Sequence, residues 1–295
     1  MNPTPDSAVL AGNLADLLDV TPLGEDRFEG RRKQGGVGRV FGGQVIAQAL
    51  ASAERTVGDE RPVHSLHAYF LRGGSEDFAI EFRVDRQFDG GSFSNRRVVA
   101  SQQGRPIFNL AASFHKREPG FHHQESMPEV PGPESLDSVQ DLIVRFRDEV
   151  PAEIRERQAK PALIEVRPVE AREWLSLAAG EPVAHAWFRA RQPLADDPKL
   201  HRAALAYASD LMLLGTCTKP HAVTWEPGSI MGASLDHALW FHDDFRADEW
   251  LLYATDSPWA GNARGFNRGR IFTQDGRLVA DVAQEGMIRR VGPKA

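Results

Sequence analysis

One cysteine in 295 residues excludes an internal disulfide and any metal site built from several thiolates. Cys217 reads as a small buried hydrophobe near a helix end, and a chain without disulfides suits a reducing cytoplasm. No apolar run approaches the ~18 residues that a membrane-spanning helix needs. The N-terminus lacks the basic-then-apolar order of a signal peptide, and Pro293-Lys294-Ala295 is not a peroxisomal address. Positive charge is not in excess either. With 35 Lys and Arg against 41 Asp and Glu, the net charge is −6, which argues against a nucleic-acid binder and leaves room for a local basic patch facing a phosphorylated ligand.

Several reaction types lack their motifs. Gly90-Gly91-Ser92-Phe93-Ser94 is not a G-x-S-x-G elbow, so an activated-serine hydrolase is unsupported. The segment Gly38 to Gln44 has the glycines of a phosphate loop but Gln44 where a lysine is needed, and Gly36-Val37-Gly38 is followed by Phe41 where a dinucleotide fingerprint wants glycine. His64 and His67 lie three apart on a strand and face opposite sides, and His122-His123 fall in a polar linker. No metal and no cofactor is expected.

What is present is a duplication. Ser65-Leu66-His67-Ala68-Tyr69-Phe70 is echoed by Leu235-Asp236-His237-Ala238-Leu239-Trp240, with His237 lying 170 residues after His67. Gln103-Gly104-Arg105 is echoed by Asp275-Gly276-Arg277, with Gly276 lying 172 residues after Gly104. Two landmarks at nearly one offset and in one order imply two copies of a fold. The composition, 41% hydrophobic and 26% charged, fits a soluble chain of two ordinary domains. Residues 1–20 read as a tail, 21–117 as the first domain, 118–161 as a linker with a surface helix after Leu136, and 162–295 as the second domain. In the first, an edge strand near Arg27–Arg32 and a glycine-rich loop precede a helix from Gln44 to about Val57, then strands at 62–71, 77–88, 91–103 and 105–116 separated by glycine turns. In the second, strands at 162–170 and 182–193 precede a helix from about Pro198 to Gly215, with Asp196-Asp197 in capping position. Strands at 232–242, 249–257, 263–274 and 277–290 follow. A central helix wrapped by an antiparallel sheet, occurring twice, is an α+β arrangement.

Only the second helix carries a buried acid. From Ala203 to Gly215 it is apolar nearly all round, which indicates burial on most sides, and Asp210 is its one acid. An unpartnered carboxylate there costs on the order of several kcal/mol. Either a loop-fixing hydrogen bond or a catalytic role would explain it, and perturbed acids gather at sites. The first helix has no acid before Glu54. On the last strand, alternation puts Leu278, Ala280, Val282, Gln284, Gly286 and Ile288 on the inward face. Gln284 is the single polar member and needs partners or a ligand. In strand 232–242, Ser234, Asp236 and His237 are all polar candidates, and alternation does not choose which one meets Asp210. His237, among large apolar neighbours, reads as a structural hydrogen bonder.

Taken together, Phe41-Gly42-Gly43-Gln44, His64 to Phe70, Ser92-Phe93-Ser94-Asn95-Arg96-Arg97, Ala233-Ser234-Leu235-Asp236-His237, Trp240-Phe241-His242, Glu249 to Tyr253, Ala263-Arg264-Gly265-Phe266 and Val282-Ala283-Gln284-Glu285-Gly286 resemble acyl-CoA thioesterase II, the TesB type. They run from about residue 25 to residue 290 outside the central linker. The resemblance implies a double hotdog fold and hydrolysis of fatty acyl-CoA to free fatty acid and coenzyme A. It maps the family's water-activating Asp, Thr or Ser, and Gln onto Asp210, Ser234 and Gln284. The hydroxyl is serine here, and its choice over Asp236 comes from the resemblance alone. Asp210 would be the general base, with the oxyanion held by the backbone at Gly43 and Gln44 in the entrance to the first helix. Surface arginines such as Arg96, Arg97 or Arg264 could meet coenzyme A phosphates. Relatives pack into dimers or larger assemblies, which implies a homo-oligomer. The alternatives are a non-catalytic acyl-CoA-binding protein and a hotdog enoyl-CoA hydratase. The hydratase wants an Asp/His helix pair, which Ala203 to Gly215 does not supply.

Overall fold

The computed structural model describes residues 10–148, 150, 155, 162–171, 179–223 and 230–291. The C-terminal tripeptide, residues 1–9 of the proposed tail and the later part of the proposed surface helix lie outside them. Along the chain the elements are β1 (Leu10–Ala11), α1 (Leu14–Leu18), β2 (Val20–Gly24), β3 (Arg27–Gly30), β4 (Arg32–Lys33), α2 (Gly42–Glu54), β5 (Val63–Phe70), β6 (Ile80–Asp89), β7 (Phe93–Gln102) and β8 (Arg105–His115). There follow α3 (Val139–Arg145), β9 (Ile164–Pro168), β10 (Val183–Ala190), α4 (Pro198–Ser209), α5 (Leu213–Thr216), β11 (Ile230–Ser234), β12 (Asp236–Phe241), β13 (Leu251–Gly261), β14 (Arg264–Thr273) and β15 (Leu278–Arg290).

The packing divides these into two compact units that interleave along the sequence. The first holds Met1–His123, Leu194–Leu211 and Leu235–His242; the second holds Gln124–Pro193, Met212–Ser234 and Asp243–Ala295. The helix and one strand of the second repeat therefore pack with the elements of the first.

In the first unit an antiparallel sheet runs β2-β3-β6-β7-β8-β5-β12. Gln103 and Gly104, both with positive φ (50° and 74°), make the tight turn that closes the β7–β8 hairpin. Period-2 burial puts Ile80, Phe82 and Val84 of β6 inward with Val98 and Ala100 of β7. Arg96 shares that inward face and is not a surface arginine. It is 2% exposed, donates to Thr56 Oγ1 and to the carbonyls of Thr56, Phe88 and Asn95, and pairs with Asp89 at 2.8 Å. Its donors are spent on structure, so it is no candidate for a coenzyme phosphate; Arg97, on the other face, is exposed.

Helices α2 and α4 pack against each other in antiparallel sense. At one end Gly43 meets Tyr207, and at the other Glu54 meets Arg202. Alanines at 47, 49, 53, 203, 204, 206 and 208 are all buried. A methyl group built on Gly43 would lie 2.3 Å from the Tyr207 carbonyl oxygen, so the close approach requires glycine. Gly43→Ala is expected to lower the unfolding free energy by about 1–3 kcal/mol through overpacking, read from urea unfolding; an unchanged midpoint would mean the helices can part at no cost.

In the second unit the antiparallel order is β9-β10-β13-β14-β15-β11. Trp187, Trp250, Leu252, Ala254 and Phe272 form a core there. The proposed linker is partly docked on it. Met127, Val130 and Leu136 pack against that core, the Gln124 amide bonds the backbone at Gly276 and Leu278, and Trp187 Nε1 donates to the Pro131 carbonyl at 2.9 Å. Of the predicted surface helix, α3 is described, with a Ser138–Asp141 capping box.

The strand expected over 232–242 breaks at Leu235. β11 pairs with β15 in the second unit, whereas β12 pairs with β5 in the first. The Leu235 carbonyl at the break accepts from Phe70 N–H at 3.0 Å.

Candidate active site

The N-terminus of α4 follows the expected signals. Asp197 is the N-cap, accepting from Lys199 N–H at 2.9 Å, and Pro198 occupies the first helical position. Residues His201 to Ser209 are buried throughout. The helix stops at Ser209, earlier than the expected Gly215. Ser209 Oγ donates to the Ala206 carbonyl at 2.9 Å, the acceptor that a continuing helix reserves for the amide of residue 210. Ser209 Oγ also lies 2.9 Å from His237 Nε2. His237 is fully buried, and that burial pushes its imidazole down to about 3. It is thus a neutral structural group, as its apolar neighbours suggest.

Asp210 is the C-cap of α4 (φ −89°, ψ −7°) and is half-buried, less so than the sequence implies. A carboxylate at a helix C-terminus opposes the helix dipole, so position 210 is a poor place for an acid on stability grounds. The compensating field comes from α2. A methyl group built on Gly42, the first residue of α2, would lie 2.6 Å from Asp210 Oδ2 and 3.0 Å from the Phe70 ring. The Asp210 carboxylate therefore rests against the first turn of a 13-residue helix, where the partial positive charge of unpaired N–H groups favours an anion.

Of the proposed oxyanion donors, Gln44 has its N–H engaged, donating to the Phe41 carbonyl at 3.1 Å. Its side chain is buried and reaches the Arg31 carbonyl at 3.3 Å. Gly43 stays in the first turn, with Gly42 before it, where no carbonyl four residues back belongs to the helix.

In the second unit Gln284 is fully buried on β15, in the inward set Ala280, Val282, Gln284 and Gly286 that alternation gave. Alternation fails at the start of the strand, where a register shift between Ile271 and Phe272 buries Val279 although it was placed outward. Ser234 ends β11 and faces Gly286 in the register. Gln284, two residues along β15, is its diagonal neighbour on one sheet face, within reach of a long side chain. Two of the three predicted residues are thus brought together in the second unit, while Asp210 belongs to the first.

Three residues escaped the sequence reading. Asn267, fully buried, pairs directly with Gln284 in the β14–β15 ladder. Its Oδ1 accepts from Cys217 N–H at 2.9 Å, and its Nδ2 finds no acceptor among the described residues. It shares the inward face with Gly265, Gly269 and Ile271, so the test that exposed Gln284 would have exposed it too. Tyr207 packs edge-on against Phe41 at 5.0 Å. Its hydroxyl is pushed up to about 12 by burial first and then by the charges of Glu76 and Asp210. Glu76, 6% exposed, is held above the usual carboxylate range by burial, and its Oε2 has no donor among the described residues. It sits in a loop, where no periodicity could reveal its burial. Cys217 is buried with its thiol pushed up by that burial, which suits an inert side chain.

His201 lies on α4 with Asp210, but nine residues away, roughly 13 Å along the axis, so the two do not make a hydratase-type pair. Among the described residues no group of three or more His, Cys, Asp or Glu could hold a metal, and no helix is long and apolar enough to cross a membrane.

The chain is similar to known proteins. Residues 31–115 match the family model of the acyl-CoA thioesterase N-terminal domain, and residues 144–287 match that of acyl-CoA thioesterase. Acyl-coenzyme A thioesterase 8 of Homo sapiens is 42% identical over 281 residues, covering 92% of this chain and 88% of that protein. The crystal structure of acyl-CoA thioesterase II TesB2 from Mycobacterium marinum superposes with a TM-score of 0.76 at 43% identity, covering 94% of this chain and 98% of that one. A hot dog fold protein of unknown function from Alicyclobacillus acidocaldarius superposes with a TM-score of 0.71 at 18% identity, over 95% and 98% of the two chains. The architecture is that of a double hotdog protein, the class in which one chain carries the fold twice. Within it, the chain belongs to the acyl-CoA thioesterase family and is a thioester hydrolase.

Proposed function

We propose that the chain hydrolyses fatty acyl-CoA to free fatty acid and coenzyme A, with Asp210 as general base and Ser234 and Gln284 orienting the attacking water. The observation that carries this reading is Asp210 itself: an acid at the wrong end of a buried helix, resting against the first turn of another. A thioester carbonyl is electrophilic enough to need no covalent nucleophile. Water adds to the carbonyl carbon while its proton passes to Asp210. Gly42 and Gly43 N–H groups meet the oxyanion. The carbon–sulfur bond then breaks, and the proton held by Asp210 goes to the departing thiolate. The enzyme works in the cytoplasm as a homo-oligomer, with no cofactor and no nucleic-acid partner.

Thiol release from a panel of acyl-CoAs tests the reading. Wild type should release thiol, and Ser234→Ala and Gln284→Ala should each reduce kcat by about 10²-fold, the low end of what proton-transfer machinery contributes. The double variant should lose little more than either single one, because groups acting on one water are not additive. Ligand-induced stabilisation with no thiol release from any chain length would replace this reading by a binding protein.

A further inference from the structure

Two amides stand side by side in the sheet of the second unit. Asn267 of β14 and Gln284 of β15 are direct partners in the antiparallel ladder. Their side chains therefore leave the sheet on one face, from Cβ atoms about 4.5–5.5 Å apart. Both are fully buried. The next pair on that face is Gly265 with Gly286, and the room left by the two missing side chains is filled. A methyl group built on Gly286 would run into Leu214 of α5, and one on Gly265 would run into Cys217.

Asn267 is held by one end only. Its Oδ1 accepts from Cys217 N–H at 2.9 Å, and an amide whose oxygen is committed in this way cannot flip without losing that bond. Nδ2 is thereby fixed as the other end, and it finds no acceptor among the described residues. A buried donor without an acceptor is costly, so its retention asks for a use. Along β14 its neighbours on the same face are Gly265 and Gly269, which have no side chain to accept. Towards β13 the register shifts between Asp256 and Trp259, and Asn267 has no partner in that ladder. The side chain directly opposite it is that of Gln284.

The first repeat has no such pair. The residues 171 before Asn267 and 172 before Gln284 are Arg96 and Ala112, which face each other in the β7–β8 ladder in the same way. The two amides thus belong to the repeat that also carries Asp210 and Ser234.

We propose that Asn267 is a positioning residue for the hydrolysis: with the attacking water bound, its Nδ2 donates to Gln284 Oε1 and holds the Gln284 amide with Nε2 toward that water. The proposal rests on the reading above in which Gln284 orients the water. The two ends of a glutamine amide have opposite hydrogen-bonding sense. With Oε1 taken, the end offered to the water is a donor. One lone pair of the water oxygen accepts from Nε2, and the other stays free to attack the thioester carbon. Catalytic hydrogen bonds of this kind tighten when substrate binds.

Asn267→Asp and Asn267→Val separate the two ends of the amide. Aspartate keeps an oxygen for Cys217 N–H and loses Nδ2; valine suits a strand and loses both. Both should lower kcat for acyl-CoA hydrolysis about tenfold, within the cost of a misplaced catalytic group, and leave KM unchanged. In a Gln284→Ala background neither should lower kcat further, because the group that Asn267 orients is gone. Activity kept in Asn267→Asp but lost in Asn267→Val would make Asn267 an anchor for Cys217 and overturn the proposal. So would a loss of equal size in the Gln284→Ala background, no loss at all, or a loss that vanishes instead in Tyr253→Phe, whose hydroxyl packs over Gly269. In those cases Gln284→Ala still lowers kcat and the water-orienting reading stands. If Gln284→Ala leaves kcat unchanged, or no acyl-CoA is hydrolysed, that reading falls and this proposal with it. Urea midpoints show which variants are folded at assay; where Asn267→Asp is not, Asn267→Val in the two backgrounds decides.

Discussion

Asp210→Asn is expected to lower kcat for acyl-CoA hydrolysis by about 10²–10⁴-fold, the range that a positioned general base contributes. Stability should hold or rise. Asparagine keeps the shape and removes a negative charge from the C-terminal end of α4, where the helix dipole disfavours it. Loss of the charge also removes the attraction of α2's first turn at Gly42, so the two electrostatic effects partly cancel. The measurement is thiol release beside a urea midpoint. Activity lost with the midpoint retained identifies the base. Activity retained leaves a thioesterase whose base lies elsewhere, and activity and midpoint lost together make Asp210 a structural acid.

Glu54→Ala should cost about 3–5 kcal/mol of stability, the penalty of leaving one member of a buried ion pair alone. Glu54 and Arg202 join the far ends of α2 and α4, so the first helix also carries a buried acid, against the expectation that only the second does, because Arg202 of the facing helix supplies a partner that no pattern within α2 reveals. Their N···O distance is 2.8 Å, with side chains 3% and 10% exposed. Replacing both together, Glu54→Met with Arg202→Met, should recover most of that loss, since a buried pair often does no better than apolar packing. A double variant as unstable as the single would mean the pair contributes net stability. pH gives a second readout. Burial pushes the Glu54 carboxyl up to about 7 from the ordinary 4.5, against the pull of Arg202. The folded state then binds a proton that the unfolded state has released. The contribution is complete below about pH 4.5 and is lost as pH rises through about 7. Urea midpoints from pH 5 to 8 should fall less steeply in Glu54→Gln than in wild type, and parallel profiles would assign Glu54 its ordinary titration.

The fold was legible where periodicity was strong. The hairpins of the first repeat and the entry to α4 follow from alternation, glycine turns and capping signals. Asp210 and Gln284 stood out because each is a polar residue in an otherwise apolar pattern. Ser234 did not. It shares its strand with Asp236 and His237, and only the resemblance chose it. The early stop of α4 was hidden because Leu211 to Leu214 continue the apolar pattern, while the Ser209 hydroxyl that takes the Ala206 carbonyl leaves no periodic trace. The break at Leu235 was hidden for a different reason. Both halves of that stretch are strand, and what changes is the partner, a non-local fact. Arg96 was taken for a surface residue on its charge although alternation with Val98 and Ala100 places it inward. Five donors satisfied by strand carbonyls, Thr56 and Asp89 make that burial possible.

The interleaving of the two units has a consequence for synthesis on the ribosome. The first unit's early part is complete when residue 123 emerges, but α4 is not made until residue 209 and β12 not until residue 241. At ~5–20 residues per second that delay is on the order of ten seconds. Until each arrives, the α2 face that α4 will cover and the β5 edge that β12 will pair stay unsheltered, a nascent surface suited to capture by a chaperone or by the same segment on a neighbouring ribosome.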